Sequence, residues 1–317
     1  MVNALPEENV LKLVTIGYLT LDDLVLENDL VLRDTLGGGA LFSAVGARTW
    51  NGSVGIHACS GGDYPNEYLD AIRDCGIDVD GVTVGPSQSL RLWLLEEGGL
   101  RKQQLPKLAS ATVRDMDASR ADLPTAYRNA AGYHVATSLP TTQRETVSCI
   151  REVAPRAWVT LDIWTEPFFD ANAYRDPGFL AGVDAFLPSD KEVEALWGLD
   201  DLLGVMRHLA SSGPAIVAVK QGDRGSLVFS REIDRFWEIP VVAVDTVDAT
   251  GAGDAYCGGF LAGLVETGNP LEATLRGTVS ASFAVQGHGA QAGMGATREE
   301  AERRLASLRS QVKQVQA

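Results

Sequence analysis

What this chain has little of already narrows it. Only four cysteines occur in 317 residues, Cys59, Cys75, Cys149 and Cys257, and no two are spaced as Cys-x-x-Cys. Neither a zinc knuckle nor a dithiol redox site therefore has its ligands, and the scattered thiols fit a reduced cytoplasm. The four histidines (His57, His134, His208, His288) are as dispersed, so no helix face offers two imidazoles to a metal. Positive charge is scarce too: 27 Lys and Arg stand against 42 Asp and Glu, a net charge of −15. That argues against nucleic-acid and anionic-membrane partners, which need a basic surface, but a local turn can still bind a phosphate. No apolar run approaches about 18 residues, so no transmembrane helix is expected. Residues 1–10 lack the basic-then-apolar order of a signal peptide. No Gly-Lys pair exists, which removes a Walker loop and its lysine.

What is present is a full core. Hydrophobic residues make up 45% of the chain and charged residues 22%, enough for one large α/β domain. Residues 1–317 are expected to form a single domain. Strand-like runs at 11–17, 54–60, 132–136, 158–163, 184–188, 215–220 and 226–230 alternate with helical stretches at 41–50, 67–75, 142–153, 191–197 and 202–211. Such alternation implies a mainly parallel sheet with helices on both faces. Residues 24–36 read as two short edge strands. The runs at 90–95 and 100–105 flank Glu96-Glu97-Gly98-Gly99, a hairpin by its turn chemistry. Segments of about 22–36 and 88–106 are thus the expected small β lid over the sheet's carboxyl edge, where open α/β sheets bind ligands.

The rest is organised around Asp248-Ala249-Thr250-Gly251-Ala252-Gly253-Asp254. An apolar run at 241–244 precedes it and a small-residue helix at 255–265 follows. This predicts strand, Gly-rich turn, buried helix. Gly251 and Gly253 let backbone N–H groups approach an anion at the positive end of the helix. Asp254 puts a carboxylate beside that anion site, as a general base next to a migrating phosphoryl group requires. An ordinary α/β turn with an Asp in the first helical turn accounts for the same residues without chemistry. A dinucleotide fingerprint is excluded, because Tyr256 occupies the third Gly position.

The heptad resembles the C-terminal signature of the ribokinase (PfkB) family of carbohydrate kinases, Asp-Thr-Thr-Gly-Ala-Gly-Asp, with only Ala249 departing from it. The resemblance implies a ribokinase-like fold and ATP-dependent phosphotransfer, with Mg²⁺, to a hydroxyl of a small molecule, most simply a sugar. It makes Asp254 the base and the N–H groups of Gly251, Ala252 and Gly253 the anion hole. Asp22, five residues after Gly17, matches the family's grip on substrate hydroxyls. Gly38 and Gly39 match its Gly-Gly, and Ser43 falls where the family carries a substrate-touching Asn. Lys220, Gly222 and Gly225 match the nucleotide-side Gly-x-x-Gly turn, with Thr250 and Gly289 beside it. Ser189-Asp190-Lys191-Glu192 resembles Asn-x-x-Glu, so Glu192 is the expected Mg²⁺ residue, acting through water; the same four residues are also a capping box. Asp248 is the candidate ligand for a monovalent cation, although Gly293 replaces a Ser usual at that site. Of Asp-x-Asn-x-Arg only Asp162 survives, in Asp162-Ile163-Trp164-Thr165-Glu166. Exposed lid strands suggest a homodimer that hides their edges.

Two other functions stay open. A nucleoside kinase would use the same machinery and stack a base on an aromatic such as Trp93. A non-catalytic sugar- or nucleotide-binding regulator would explain the departures at Ser43, Trp164, Ser189 and Gly293.

Overall fold

A strand buried on both faces belongs inside a parallel sheet. β1 (Leu13–Tyr18), buried at all six positions, takes that place. The computed structural model describes residues 12–27, 30–85, 88–97, 101–116, 123–165 and 170–316; residues 1–10, the Gly98-Gly99 turn and Glu166 lie outside them. After β1 come β2 (Thr20–Val25), β3 (Val31–Gly37), α1 (Gly39–Arg48), β4 (Val54–Ser60), α2 (Asn66–Asp74), β5 (Ile77–Asp78), β6 (Val82–Val84), β7 (Leu90–Glu97) and β8 (Arg101–Pro106). Strands and helices then alternate: β9 (Gly132–Val135), α3 (Pro140–Val153), β10 (Trp158–Leu161), α4 (Ala171–Arg175), β11 (Ala185–Phe186), α5 (Asp190–Trp197), α6 (Leu202–Ser211) and β12 (Ile216–Lys220). The chain ends with β13 (Ser226–Ser230), β14 (Arg235–Ile239), α7 (Ala252–Thr267), α8 (Pro270–Ala284), α9 (Gln291–Met294), α10 (Arg298–Arg309) and β15 (Lys313–Val315).

Among the described residues the strands make two sheets. The larger runs β15-β14-β13-β12-β11-β10-β9-β1-β4-β5, with β6 also beside β4. It is parallel from β12 to β5 and turns antiparallel at its β13–β15 edge. The smaller sheet, β3-β2-β7-β8, is the lid. From β1 the chain builds β4 on one side and later β9 on the other, each in register with Leu13. The strand order reverses there, and the carboxyl ends of β1 and β9 frame the crevice that such a switch point creates.

One apolar core lies under α1, α7 and α8, and a second on the opposite face under α3, α5 and α6. Helix α7 is enclosed over ten consecutive residues, Ala255 to Leu264. Each large side chain it hides, such as Phe260 and Leu261, contributes roughly 1.5–3 kcal/mol. Its small residues let it sit against α1: a Cβ on Gly258 would come within 1.7 Å of the Ser43 carbonyl oxygen.

One expectation needs correction. Residues 241–244 are not a strand; no regular structure spans 241–249. The edge is filled instead by β14, which pairs antiparallel with β13, and Pro240, lacking an N–H, cannot extend that pairing. Asp22 and Asp23, past the end of β1, lie within β2 of the lid. Strand β15 was not foreseen; only three residues long, it is held by β14 rather than by its own pattern.

Candidate active site

The turn ahead of α7 is pinned before it reaches the helix. Val247 and Asp248 donate their N–H groups to the Val285 carbonyl at 2.7 and 3.2 Å. Asp248 is 4% exposed; its Oδ1 accepts the Thr250 N–H at 2.9 Å, and its Oδ2 faces His288 Nδ1 at 3.1 Å. The candidate cation ligand is thus already engaged by protein donors. Among the described residues no group of three His, Cys, Asp or Glu side chains is arranged to hold a metal. Gly251 then enters the left-handed region at φ 74°, a conformation that few residues with a Cβ accept, and starts the helix with no side-chain cap. The first N–H groups of a helix lack partners within it, so this end is open to an anion. Ala252 is the weakest of the three expected donors, because its N–H already reaches the Ala249 carbonyl at 3.3 Å.

Asp254 lies in the first turn of α7. A Cβ on Gly39 would come within 2.8 Å of Asp254 Oδ1 and 3.2 Å of the Ala136 Cβ. The carboxylate therefore rests against bare backbone at the start of α1, above the β1/β9 switch point. On its other side a Cβ on Gly253 would lie 3.5 Å from Lys220 Nζ. Lys220, at the end of β12, is ion-paired to Asp162, and both side chains are nearly enclosed. The Cys257 thiol, one turn along α7, donates to Asp162 Oδ2 at 3.6 Å. Glu192 closes the group from α5, where it and Ser189 complete the expected capping box.

Three carboxylates thus share one lysine in a low-dielectric site. Burial raises the carboxyl of Asp254; Lys220 opposes the rise and Glu192 adds to it. Burial also raises Asp162 despite its Lys220 partner. Glu192 is raised to about 7, by burial and then by the charge of Asp162. Burial alone would lower Lys220, but its acidic neighbours, Asp162 foremost, hold it high, so it stays protonated. Burial and the nearby Lys220 push His134 down to about 3. A carboxylate raised in this way is a stronger base than one in water. The surplus of negative charge around Glu192 and Asp162 suits a hydrated divalent cation, which binds through carboxylates and retained waters.

The acceptor-side residues are only partly as expected. Asp22 is 5% exposed, and a Cβ on Gly37 would fall 1.9 Å from its Oδ2, so its carboxylate rests against the backbone one residue before Gly38. Gly38 caps α1 at φ 102°. Asp23 is engaged elsewhere, in ion pairs with Lys107 at 2.7 Å and Arg33 at 3.4 Å. Ser43 is corrected: it is fully buried and donates its hydroxyl to the Asp254 carbonyl at 3.0 Å. It joins α1 to α7 rather than presenting a hydroxyl to the cleft. Gly222 and Gly225 build the tight turn between β12 and β13, both at positive φ. Gly289, at φ 67°, lies against Thr35 of the lid, and the next residue, Ala290, donates its N–H to Leu36 at 2.9 Å. Of the expected residues, Asp254, Gly39, Gly253, Lys220 and Glu192 come together. Asp162 was noted without a role; its place at the carboxyl end of β10 was the available signal.

The chain is similar to known proteins in both sequence and fold. Residues 15–296 match the family model described as pfkB family carbohydrate kinase. A cytidine kinase of Thermococcus kodakarensis is 27% identical over 274 residues, 84% of this chain and 93% of that protein. Among solved structures, the Methanocaldococcus jannaschii nucleoside kinase superposes with a TM-score of 0.73 at 20% identity, covering 94% of this chain and 99% of that one. An E. coli chain solved with ATP and Mg²⁺ does so at 0.71 and 16% identity, covering 94% and 100%. The two superpositions establish the ribokinase-like fold.

Proposed function

Since the chain belongs to the pfkB family of carbohydrate kinases and is an ATP-dependent phosphotransferase acting on a sugar or nucleoside hydroxyl, we propose that Asp254 is its general base. Asp254 takes the proton from the acceptor hydroxyl. The freed oxygen attacks the γ-phosphorus of ATP, and the bond to the ADP oxygen breaks. The open N-terminus of α7, at Gly251 and Gly253, receives the phosphoryl oxygens as their charge shifts, and Lys220 adds a fixed positive charge beside them. Phosphoryl transfer asks for little beyond such positioning and electrostatics. Glu192, through water, and Asp162 would hold Mg²⁺, whose contribution is to neutralise phosphate charge. The Gly222–Gly225 turn, Thr250 and Gly289 border the nucleotide side, and Asp22 with the Gly38-Gly39 backbone borders the acceptor.

One observation carries this reading: the Asp254 carboxylate lies between the bare Gly39 backbone and Lys220, at the mouth of an uncapped helix. A sugar is the simplest acceptor for a carbohydrate-kinase site. A nucleoside acceptor is the second reading, favoured by the cytidine kinase that matches nearly end to end. We place the enzyme in the cytoplasm, where its free thiols stay reduced. The partly exposed Val31 and Leu105 of the lid support pairing with a second copy through the lid strands.

The test is an ADP-release assay with sugars and nucleosides, run beside calorimetry of ATP binding. Asp254→Asn should bind ATP as the wild type does and lose at least about 10³-fold in transfer, the scale expected when proton removal and local charge are lost together. Transfer by Asp254→Asn at the wild-type rate sinks the base assignment.

A further inference from the structure

Gln143 is the fourth residue of α3 and is fully buried. Its amide nitrogen donates to two carbonyls at once, that of Ala136 at 2.9 Å and that of Asp162 at 2.6 Å. Each acceptor stands one residue past a strand end: β9 closes at Val135 and β10 at Leu161, which are also the last pair of their ladder. One side chain thus takes over where the ladder stops and ties the two strand ends together at the switch point. Gln143 is itself held through its backbone, since its N–H donates to the Leu139 carbonyl at 2.9 Å.

The orientation of the amide follows from its partners. Carbonyls only accept, so the NH2 end must face them. The other end, Oε1, is enclosed and has no hydrogen-bond partner among the described residues. An enclosed acceptor without a donor is unfavourable. The amide therefore serves the two strand ends rather than the packing around it.

Both strand ends lead to the buried charges. Asp162, 3% exposed, accepts the Ile163 N–H on Oδ1 at 2.9 Å and meets Lys220 through Oδ2. A Cβ on Gly17 would come within 3.0 Å of the Ala136 Cβ, and one on Gly39 within 3.2 Å. Ala136 is thus the wall behind the bare backbone on which Asp254 rests. A shift of these two strand ends would move the partner of Lys220 and the support of Asp254 together.

We propose that Gln143 is a positioning residue: by holding the Ala136 and Asp162 carbonyls it fixes the Asp162–Lys220 pair and the wall behind Asp254 where phosphoryl transfer needs them. This rests on the kinase reading above and adds to it a residue that, being fully enclosed, touches neither ATP nor acceptor.

The experiment measures ADP release with ribose, fructose and cytidine and follows the one that the wild type phosphorylates best. Gln143→Met keeps the length of the side chain and removes both donated bonds. It should lower kcat about 10–100-fold, the scale of a displacement near 1 Å at a reacting group, while the KM for the acceptor stays within about threefold. Val147→Ala, one turn along α3, trims a core side chain and leaves both amide bonds in place. It should lower the melting temperature but keep kcat within about twofold of wild type. Where Gln143→Met does not fold, Gln143→Glu takes its place. Burial favours its neutral carboxyl, which keeps the shape and one donor, so the same split should appear with a kcat fall of about threefold to tenfold. A folded Gln143 variant with kcat within about twofold of wild type overturns the proposal, as does an equal fall in kcat for Val147→Ala; either result leaves the kinase reading standing. A wild type that releases no ADP with any sugar or nucleoside brings down the kinase reading itself, and this proposal with it.

Discussion

The two sides of the cleft handle charge in opposite ways. Under α7, Asp162, Glu192, Lys220 and Asp254 are packed into the protein, and each moves the titration of another. At the lid, Arg91 bridges Asp34 and Asp63, with the three side chains between a quarter and a half exposed. Burial alone would raise the Asp63 carboxyl, but hydrogen bonds from Ser89 and Arg91 outweigh it and hold it below the usual range. Coulomb energy rises steeply as the local dielectric falls, so the buried group can preset a base and an anion site. The two Arg91 pairs are weaker and better screened, unlike the enclosed Lys107–Asp23 pair at the same sheet. The same residue types thus form an enclosed group on one side and a partly solvated pair on the other.

Breaking the buried side should have the larger effect. Lys220→Met leaves Asp162 enclosed without its cation. Removing one partner of a buried pair costs about 3–5 kcal/mol, and losing a charge beside the anion site costs on the order of 10²–10³ in turnover. Denaturant unfolding at pH 7 and pH 5 tests this. The stability deficit should shrink at pH 5, because the Asp162 carboxyl, already raised, can take a proton and shed its charge. A Lys220→Met protein with wild-type stability and rate would erase the contrast between the two sides. Gly39→Ala is a smaller change. Its Cβ would push on Asp254 Oδ1 at 2.8 Å, and a displacement near 1 Å at a reacting group costs roughly 10²-fold. Gly39 is not at positive φ, and Ala favours the helix by about 1 kcal/mol. So kcat should fall by about 10–100-fold with no drop in melting temperature. An unchanged kcat would mean that the carboxylate works from another position.

What was legible beforehand follows the same division between local and distant causes. The heptad could be read because its structure is set within a few residues: a left-handed Gly251, a helix start and an acid in the first turn. The lid was visible because alternation and turn residues are also local. The Lys220–Asp162 pair joins residues 58 apart in sequence, and nothing near either one announces the other. Ser43 shows the cost of matching by position alone. Its alignment with a substrate-touching Asn is sound as counting, but its hydroxyl goes to a carbonyl 211 residues away, and only packing decides that. The apolar run at 241–244 misled for a related reason, since an edge position depends on which other strand reaches it first. Glu192 was read both as a capping residue and as a metal residue. The capping box is present, and its raised carboxyl is a consequence of neighbours from other elements.

The smallest predicted effect sharpens the lid half. Arg91 is about a quarter exposed, while Asp34 and Asp63 are 47% and 35% exposed. Exposed ion pairs contribute about 0–1 kcal/mol each, so Arg91→Ala, which breaks two, should lower stability by no more than about 2 kcal/mol. The two pairs join β7 to β3 and to the loop after β4, which bring in Asp34 and Asp63. Their loss should loosen the cover over the acceptor and raise its KM a few-fold, with kcat nearly intact because no group under α7 has moved. Salt separates this from a packing defect. At about 1 M ionic strength the Debye length is near 3 Å, so the wild type should lose most of its advantage and the two KM values should converge. A gap that persists in high salt would mean that Arg91 acts through its aliphatic stem or on the acceptor itself. A large fall in kcat would mean that the lid and the buried centre are mechanically one unit.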